Sequence, residues 1–329
     1  MKRPTISDIA KKAGVSKSTV SHALSNKRPI SEKTRQRIQL VVEELGYRPN
    51  PSAKRLASGE KSRNIGFVLP LKGIGITGLE MKFISGAASA INEAGYTFVL
   101  LAHTDRNPEN LLRFAQNGVV DGFILMEVLL RDDRVELLKQ EGFPFVMVGR
   151  IEDSTGLNYI DMDIKSAIEI CCQTFFERGH RSIAYLHMDD DQFGLVVRSI
   201  QEYHAACDRY KLKPILKPCW PSIEDGQAVM EDLFSRHPEV NAVFVWNEVS
   251  ALGAVQAIKS RGYRIPEDFS IISLETTILS DLAPFTPDLI DIRAEEVASQ
   301  AAKLLIAMLE NQPVEQSQIL IPPKIITGT

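Results

Sequence analysis

The sequence predicts an α/β protein with an all-α helix-turn-helix head and a hinge helix, followed by a core of parallel sheets in two lobes. Three observations carry this expectation. Charge is split: Met1 to Arg63 holds 15 Lys+Arg against 5 Asp+Glu, a net of +10, while the remainder nets −14. Apolar residues up to Gly46 recur at helical spacing around a glycine turn. From Asn64 onward, short continuous apolar runs alternate with helical stretches, as in strands covered by helices on both faces.

Composition narrows the function classes. The chain has 329 residues, 44% hydrophobic and 24% charged, with an overall net charge of −4. These are ordinary globular values, and they exclude a disordered chain, a fibrous repeat and a disulfide-stapled miniprotein. No apolar run reaches the ~18 residues of a membrane span. The polar start Met1-Lys2-Arg3-Pro4-Thr5 does not read as a secretory signal. Cys171, Cys172, Cys207 and Cys219 make no C-x-x-C pair and read as free, packed thiols in a reducing cytoplasm. A basic module on an acidic body points to a polyanion partner at one end; a merely solvated terminus fits the charge as well.

The head is justified element by element. Thr5-Ile6-Ser7-Asp8 reads as a capping box, and Ile6, Ile9, Ala10 and Ala13 make one apolar helical face. Gly14 supplies the left-handed stop. Ser16 caps a second helix with Val20, Ala23 and Leu24 inward, and Lys17, Ser18, Thr19, Ser21 and His22 outward. Small Ala10, turn Gly14 and branched Val20 allow the close crossing that a helix-turn-helix requires. A third helix starts at Ser31, carries Ile38, Leu40, Val41, Val42 and Leu45, and stops at Gly46. Asn50, Pro51 and Gly59 then bound about two turns of helix, too short to be stable alone. Within it Leu56, beside Arg55, has little apolar company. It reads either as part of a flexible linker or as a wedge for a DNA minor groove, in a helix that folds on the duplex.

The core follows. Strand-like runs lie at Ile65–Leu69, Thr97–Ala102, Gly122–Met126 and Phe145–Val148, separated by helical stretches such as Leu79–Ala94 and Arg131–Glu141. A second series lies at Ile183–His187, Ala242–Trp246 and Ser270–Leu274, with helices at Phe193–Tyr210, Ile223–Arg236 and Val249–Arg261. Two series imply two lobes with a cleft, and ligands of such sheets sit beyond the carboxyl ends of the strands. Strand and helix ends give Glu127, Arg150, Arg198, Asn247 and Glu275 as polar candidates for the cleft, groups suited to sugar hydroxyls. Phe193 and Trp246 offer apolar faces, with plain core packing equally open. Arg150 paired with Glu127, away from ligand, is a further alternative.

The run "TISDIAKKAGVSKSTVSHALSNKRPISEKTRQRIQLVVEELGYRPNPSAKRL" (Thr5 to Leu56) strongly resembles the DNA-binding head of the LacI/GalR (lactose-repressor/galactose-repressor) family of bacterial transcriptional regulators. The pieces "DIAKKAGVS", "STVSHALS", "SEKTR", "ELGYRPN" and "AKRL" stand at the family's intervals. The resemblance implies that Lys17, Ser18 and His22 read bases. It implies that Ser16, Thr19, Ser21, Ser31, Thr34 and Asn50 hold phosphates, that Leu56 wedges the minor groove, and that Thr5 and Arg55 are among the DNA-binding residues. Ser25 replaces the family's usual Asn, so it is not counted as a contact. His22 stands where Arg is frequent, which forfeits the bidentate Arg–guanine contact.

The resemblance continues through "FERGHRSIAYL", "HPEVNAVFVWNEVSALGAVQAIKSRGYRIPEDFSIISLE" and "AAKLLIAMLENQP". It implies a two-lobed core like the periplasmic sugar-binding proteins, with lobe crossings near Asp161–Ile164, Asp288–Asp291 and Ile321–Pro323. The expected division is a head at 1–48, hinge helix and linker at 49–63 and core at 64–329. Lobe 1 takes about 64–162 and 291–321, and lobe 2 about 163–290 and 322–329. The resemblance separately points to Arg198, Asn247 and Glu275 as effector ligands, with Arg150 at a commonly used position. Departures cluster around the pocket: Lys72–Gly78 replaces an Asn-Pro-Phe-Phe-like loop, and Leu274-Glu275-Thr276 replaces Phe-Asp-Asp.

The expectation is a cytoplasmic, homodimeric, non-enzymatic repressor that binds double-stranded operator DNA and is released by a small-molecule effector, a sugar first. The absence of a zipper-like tail after Thr329 favours dimer over tetramer. The alternatives are a corepressor-dependent regulator taking a purine or other metabolite, a regulator controlled by a protein partner, and a nicotinamide-nucleotide redox sensor. The last rests on Gly73-x-Gly75-x-x-Gly78, but Pro70-Leu71-Lys72 push the first glycine away from the tight turn after the strand that the fingerprint needs. No cofactor, metal or membrane partner is expected. His180 reads as a structural turn residue, and Asp189-Asp190-Asp191 as a solvated loop.

Overall fold

The computed structural model describes residues 4–25, 30–47, 61–71, 76–103, 106–274 and 288–327. Two compact units divide at Lys61 and Ser62. The first is the head, of α1 (Ile6–Ala13), α2 (Lys17–Ser25) and α3 (Glu32–Glu44). Its start is the capping box read from sequence: the Thr5 amide donates to Asp8 Oδ2 at 2.8 Å, and the Asp8 amide returns to Thr5 Oγ1 at 3.4 Å. Gly14 ends α1 at φ +63°, a conformation costly for residues with a Cβ. Ile9, Ala10, Ala13, Val20, Ile38 and Val41 form the head's buried core. Leu40 departs from the expected apolar face of α3: it is 66% exposed, on the side away from Ile38 and Val41.

The second unit contains two six-stranded sheets. Lobe 1 is built from β1 (Asn64–Pro70), α4 (Gly78–Glu93), β2 (Thr97–His103), α5 (Pro108–Gln116), β3 (Gly122–Leu125), α6 (Asp133–Gln140), β4 (Phe145–Val148) and β5 (Tyr159–Met162). Lobe 2 holds α7 (Ile164–Glu177), β6 (Ser182–His187), α8 (Gly194–Tyr210), β7 (Lys213–Pro218), α9 (Ile223–Arg236), β8 (Ala242–Val245), α10 (Glu248–Ser260), β9 (Ser270–Leu274) and β10 (Asp288–Asp291). Then α11 (Ala294–Leu309) and β11 (Gln318–Ile321) return to lobe 1, and β12 (Lys324–Ile326) joins lobe 2. The strand orders are β11-β5-β4-β3-β1-β2 and β12-β10-β9-β8-β6-β7, so the two lobes share one strand order and differ in the direction of the last strand. The chain therefore changes sheet between β5 and β6, between β10 and β11, and between β11 and β12.

Pairing is parallel throughout, except that β12 runs antiparallel to β10 with Ile290 opposite Ile325. The central strands β1, β3, β8 and β9 are buried on both faces, as their continuous apolar runs require. Close helix crossings depend on glycine. A Cβ at Gly86 of α4 would lie 2.1 Å from the Glu295 carbonyl oxygen of α11. At Gly253 of α10 it would lie 2.1 Å from the Ile223 carbonyl oxygen of α9. The entry to lobe 1 is tied down by Asp121, which accepts from the amides of Ser62 and Arg63 at 2.7 Å each.

Candidate functional site

In the head, α2 presents Lys17, Ser18 and Ser21 to solvent, with His22 and Thr19 half-buried beside them. Ser16 Oγ accepts from the Thr19 amide at 3.1 Å and lies 2.7 Å from Ser18 Oγ, a hydroxyl cluster at the helix N-terminus. No acidic residue occupies the first turn of α2, so the positive end of its dipole is not offset there. Ser31 caps α3, with its Oγ 2.8 Å from Thr34 Oγ1, and both are accessible. Thr5, Ser16 and Ser31 thus stand at three helix starts, the places where amides meet phosphate. Asn50, Arg55 and Leu56 lie outside the described residues.

Between the lobes lies a cleft with an empty volume of about 1030 Å³, part of it open solvent. Glu127, Phe193, Arg198, Trp246 and Asn247 all face it. Most of the wall is apolar, with Met126, Val128, Met188 and Leu195 among its residues. Asn247 also serves locally: its Oδ1 accepts from the Ser250 amide at 2.9 Å and caps α10. Trp246 is buried, and its ring lies 6.5 Å from that of Tyr185, so it packs in the core and faces the cleft at once. Glu275, Gly73 and Gly75 lie outside the described residues; Gly78 is the first residue of α4.

Arg150 does not stand on the cleft wall. It pairs with Asp161, not with Glu127: its Nε lies 2.8 Å from Asp161 Oδ2. Arg198 reaches the same oxygen from the other lobe at 3.4 Å and donates to the Arg150 carbonyl at 3.1 Å. Asp161 is fully buried, and burial pushes its carboxyl above the ordinary range although Arg198 and Arg150 pull the other way. Burial also lowers the Arg198 guanidinium, against the opposing pull of Asp161. Sequence reasoning placed a lobe crossing at Asp161 and gave it no role at the site. The available signal was an acid inside the apolar run Tyr159-Ile160-Asp161-Met162.

Glu127 sits at φ +51°, held by two arginines. Arg106 donates to its carbonyl at 2.6 Å and pairs with its carboxylate at 3.3 Å. Arg134 donates to the same carbonyl at 3.3 Å and to that of Met126 at 3.1 Å. Arg134 is itself fixed by Asp132 at 2.6 Å, a pair buried on both sides. Burial raises the Asp132 carboxyl, but the hydrogen bond and charge of Arg134 outweigh it and leave it lowered. The same loop touches lobe 2: Leu129 bridges Phe193, and the Leu130 amide donates to the Gln192 carbonyl at 2.8 Å.

His180 is structural, as read. Its Nδ1 lies 2.7 Å from Asn241 Oδ1 and its Nε2 2.7 Å from Ser270 Oγ, joining the starts of β6, β8 and β9. All four cysteines are buried free thiols. Among the described residues no cluster of His, Cys, Asp and Glu is arranged to hold a metal. No described helix is long and apolar enough to cross a membrane.

A helix-turn-helix on one unit and a cleft between paired lobes on the other define a DNA-binding regulator that carries its own small-molecule domain. Residues 5–50 match the bacterial regulatory proteins of the lacI family, and residues 172–329 match the periplasmic binding protein-like domain. The transcriptional regulator AglR of Rhizobium meliloti is 31% identical over 320 residues, covering 93% of this chain and 88% of that protein. The chain belongs to the LacI family of transcriptional regulators, which are not enzymes. Its fold is that of the lac repressor dimer bound to operator and the anti-inducer ONPF, with a TM-score of 0.76 and 22% identity over 99% of this chain and 98% of that one. The regulator CelR in complex with cellobiose gives a TM-score of 0.71 and 23% identity over 99% of both chains.

Proposed function

We propose that this regulator is a homodimeric repressor of the cytoplasm, released from a roughly palindromic operator when a small molecule binds between the lobes. The observation that carries the reading is the convergence of Glu127, Phe193 with Arg198, and Trp246 with Asn247, from three separate segments of the chain, on one cleft. A polar cluster on mostly apolar walls is the composition of a small-molecule site. Two heads on a dimer read two half-sites, which makes the operator palindromic. Ligand binding between the lobes favours one arrangement of the dimer, and the heads differ in operator affinity between arrangements. A sugar effector is supported by relatives such as the CelR–cellobiose complex.

Within the head, Lys17, Ser18 and His22 read bases, and Thr5, Ser16, Thr19, Ser21, Ser31, Thr34, Asn50 and Arg55 meet the backbone. Leu56 opens the minor groove. The reading is supported by exposed Lys17 and Ser18 at the uncompensated N-terminus of α2. Selection of operator sequences by the full-length wild type and by Lys17→Ala tests it. The wild type should return a palindrome, and Lys17→Ala a palindrome relaxed at one position of each half-site. Identical selected motifs from both proteins would remove Lys17 from base reading.

A further inference from the structure

Besides the three chain crossings, the lobes meet through paired backbone. The Leu130 amide of lobe 1 donates to the Gln192 carbonyl of lobe 2 at 2.8 Å, and the Gly194 amide of lobe 2 donates to the Val128 carbonyl at 3.4 Å. These two bonds flank the antiparallel bridge between Leu129 and Phe193, so segments 128–130 and 192–194 pair as two short strands, one from each lobe. Each segment is held in shape by its own lobe. On lobe 1, Asp132 Oδ2 accepts from the Leu129 amide at 3.1 Å, and the Leu130 carbonyl accepts from the Glu152 amide at 2.8 Å. On lobe 2, Asp190 Oδ1 accepts from the amides of Gln192 at 3.1 Å and Phe193 at 2.9 Å. Little ordering is left to be lost when the segments meet. Gly194 permits the approach. It opens α8 and is not among the glycines with positive φ, so its own backbone conformation does not call for glycine. The neighbouring lobe does: a Cβ there would lie 2.9 Å from the Arg150 carbonyl oxygen of lobe 1 and 3.0 Å from Arg198 Nη1, which donates to that oxygen.

We propose that this pairing is a latch that makes the closed, paired arrangement of the lobes the resting one, and that Gly194 is the residue that lets it shut. Two backbone hydrogen bonds have a modest net strength, so the latch biases the lobes without fixing them, and a ligand that prefers parted lobes can open it. Val128 and Phe193 both line the cleft, so an occupant touches the latch itself. The reach of the latch to the heads rests on the proposed coupling between lobe arrangement and operator affinity.

Residue-resolved amide hydrogen exchange on full-length wild type and Gly194→Val tests the latch. The Leu130 amide bonds across the lobes, whereas that of its neighbour Leu129 bonds within lobe 1, so the pair separates parting of the lobes from unfolding of the loop. In the wild type both should exchange slowly. In Gly194→Val, Leu130 should exchange about tenfold or more faster while Leu129 is unchanged. A wild-type Leu130 amide that exchanges as in an open chain overturns the proposal. So does a folded Gly194→Val in which Leu130 stays protected, or in which Leu129 loses protection with it. Gly194→Ala, a smaller wedge, and the wild-type rates decide if Gly194→Val does not fold. Operator titrations on the same proteins separate the two claims. Gly194→Val should shift operator affinity about fivefold or more. Exchange as expected, with operator affinity unchanged, would sink the coupling of lobes to heads and leave the latch standing.

Discussion

His180 joins the starts of three strands with one ring. A neutral imidazole with its proton on Nδ1 donates to Asn241 and accepts from Ser270, so both bonds are satisfied without a charge. Burial holds its pKa below the ordinary value of 6.5, with the nearby Arg178 and Arg181 charges adding to the effect. A depressed folded pKa contributes stability that is present above about pH 6.5 and lost as pH falls through the folded value. The melting temperature of wild type should therefore drop between about pH 7 and 5 by more than that of His180→Ala. The variant itself should lose about 2 kcal/mol at neutral pH, from two buried hydrogen bonds. Parallel melting profiles for the two proteins would show that this ring does not set the acid limb. Asp161 is the opposite case: a buried acid whose pKa is raised, tolerated because two guanidiniums share it.

At the level of elements, packing explains what the sequence made visible and what it hid. Strands β1, β2, β3, β4, β6, β8 and β9 were legible because their apolar runs are continuous and bounded. Edge strand β7 was not, because Pro214 and Pro218 interrupt the run and an edge position tolerates them. Strands β10, β11 and β12 are short, and β11 is defined by β5, far earlier in the chain, which no local pattern reports. The cleft residues were legible as strand and helix ends, whereas Asp161 was not. Its role depends on Arg198, 37 residues away and in the other lobe. Helix crossings give a direct test. Gly253→Val should force α9 and α10 apart and cost about 3 kcal/mol or more, read as a lower urea midpoint. An unchanged midpoint would mean the crossing yields without cost. The hinge is a second test. Leu56→Ala should reduce operator bending and affinity while leaving the core's melting temperature unchanged, since only an apolar wedge offsets the unstacking of a base step. Equal bending by both proteins would remove the wedge from the account.

The whole molecule is two chemistries on one chain. The +10 charge of residues 1–63 gives the head its attraction for a polyanion, and the net −14 of the rest keeps the core from competing for it. Log operator affinity should accordingly fall linearly with log salt. The lobes repeat one strand order, touch through Leu129 and Phe193, and are linked by three chain crossings. A ligand between them has leverage only if it binds one lobe arrangement better than the other. The most direct measurement is operator affinity of wild type and Arg198→Ala, each with and without a neutral effector found by thermal-shift screening of sugars and nucleobases. The account predicts equal effector-free operator affinity for the two proteins and release of the wild type alone. Arg198→Ala should bind the effector about ten- to a hundredfold more weakly, the loss of one hydrogen bond to a charged group. Release of Arg198→Ala at the wild-type effector concentration would contradict the claim that this cleft controls the head.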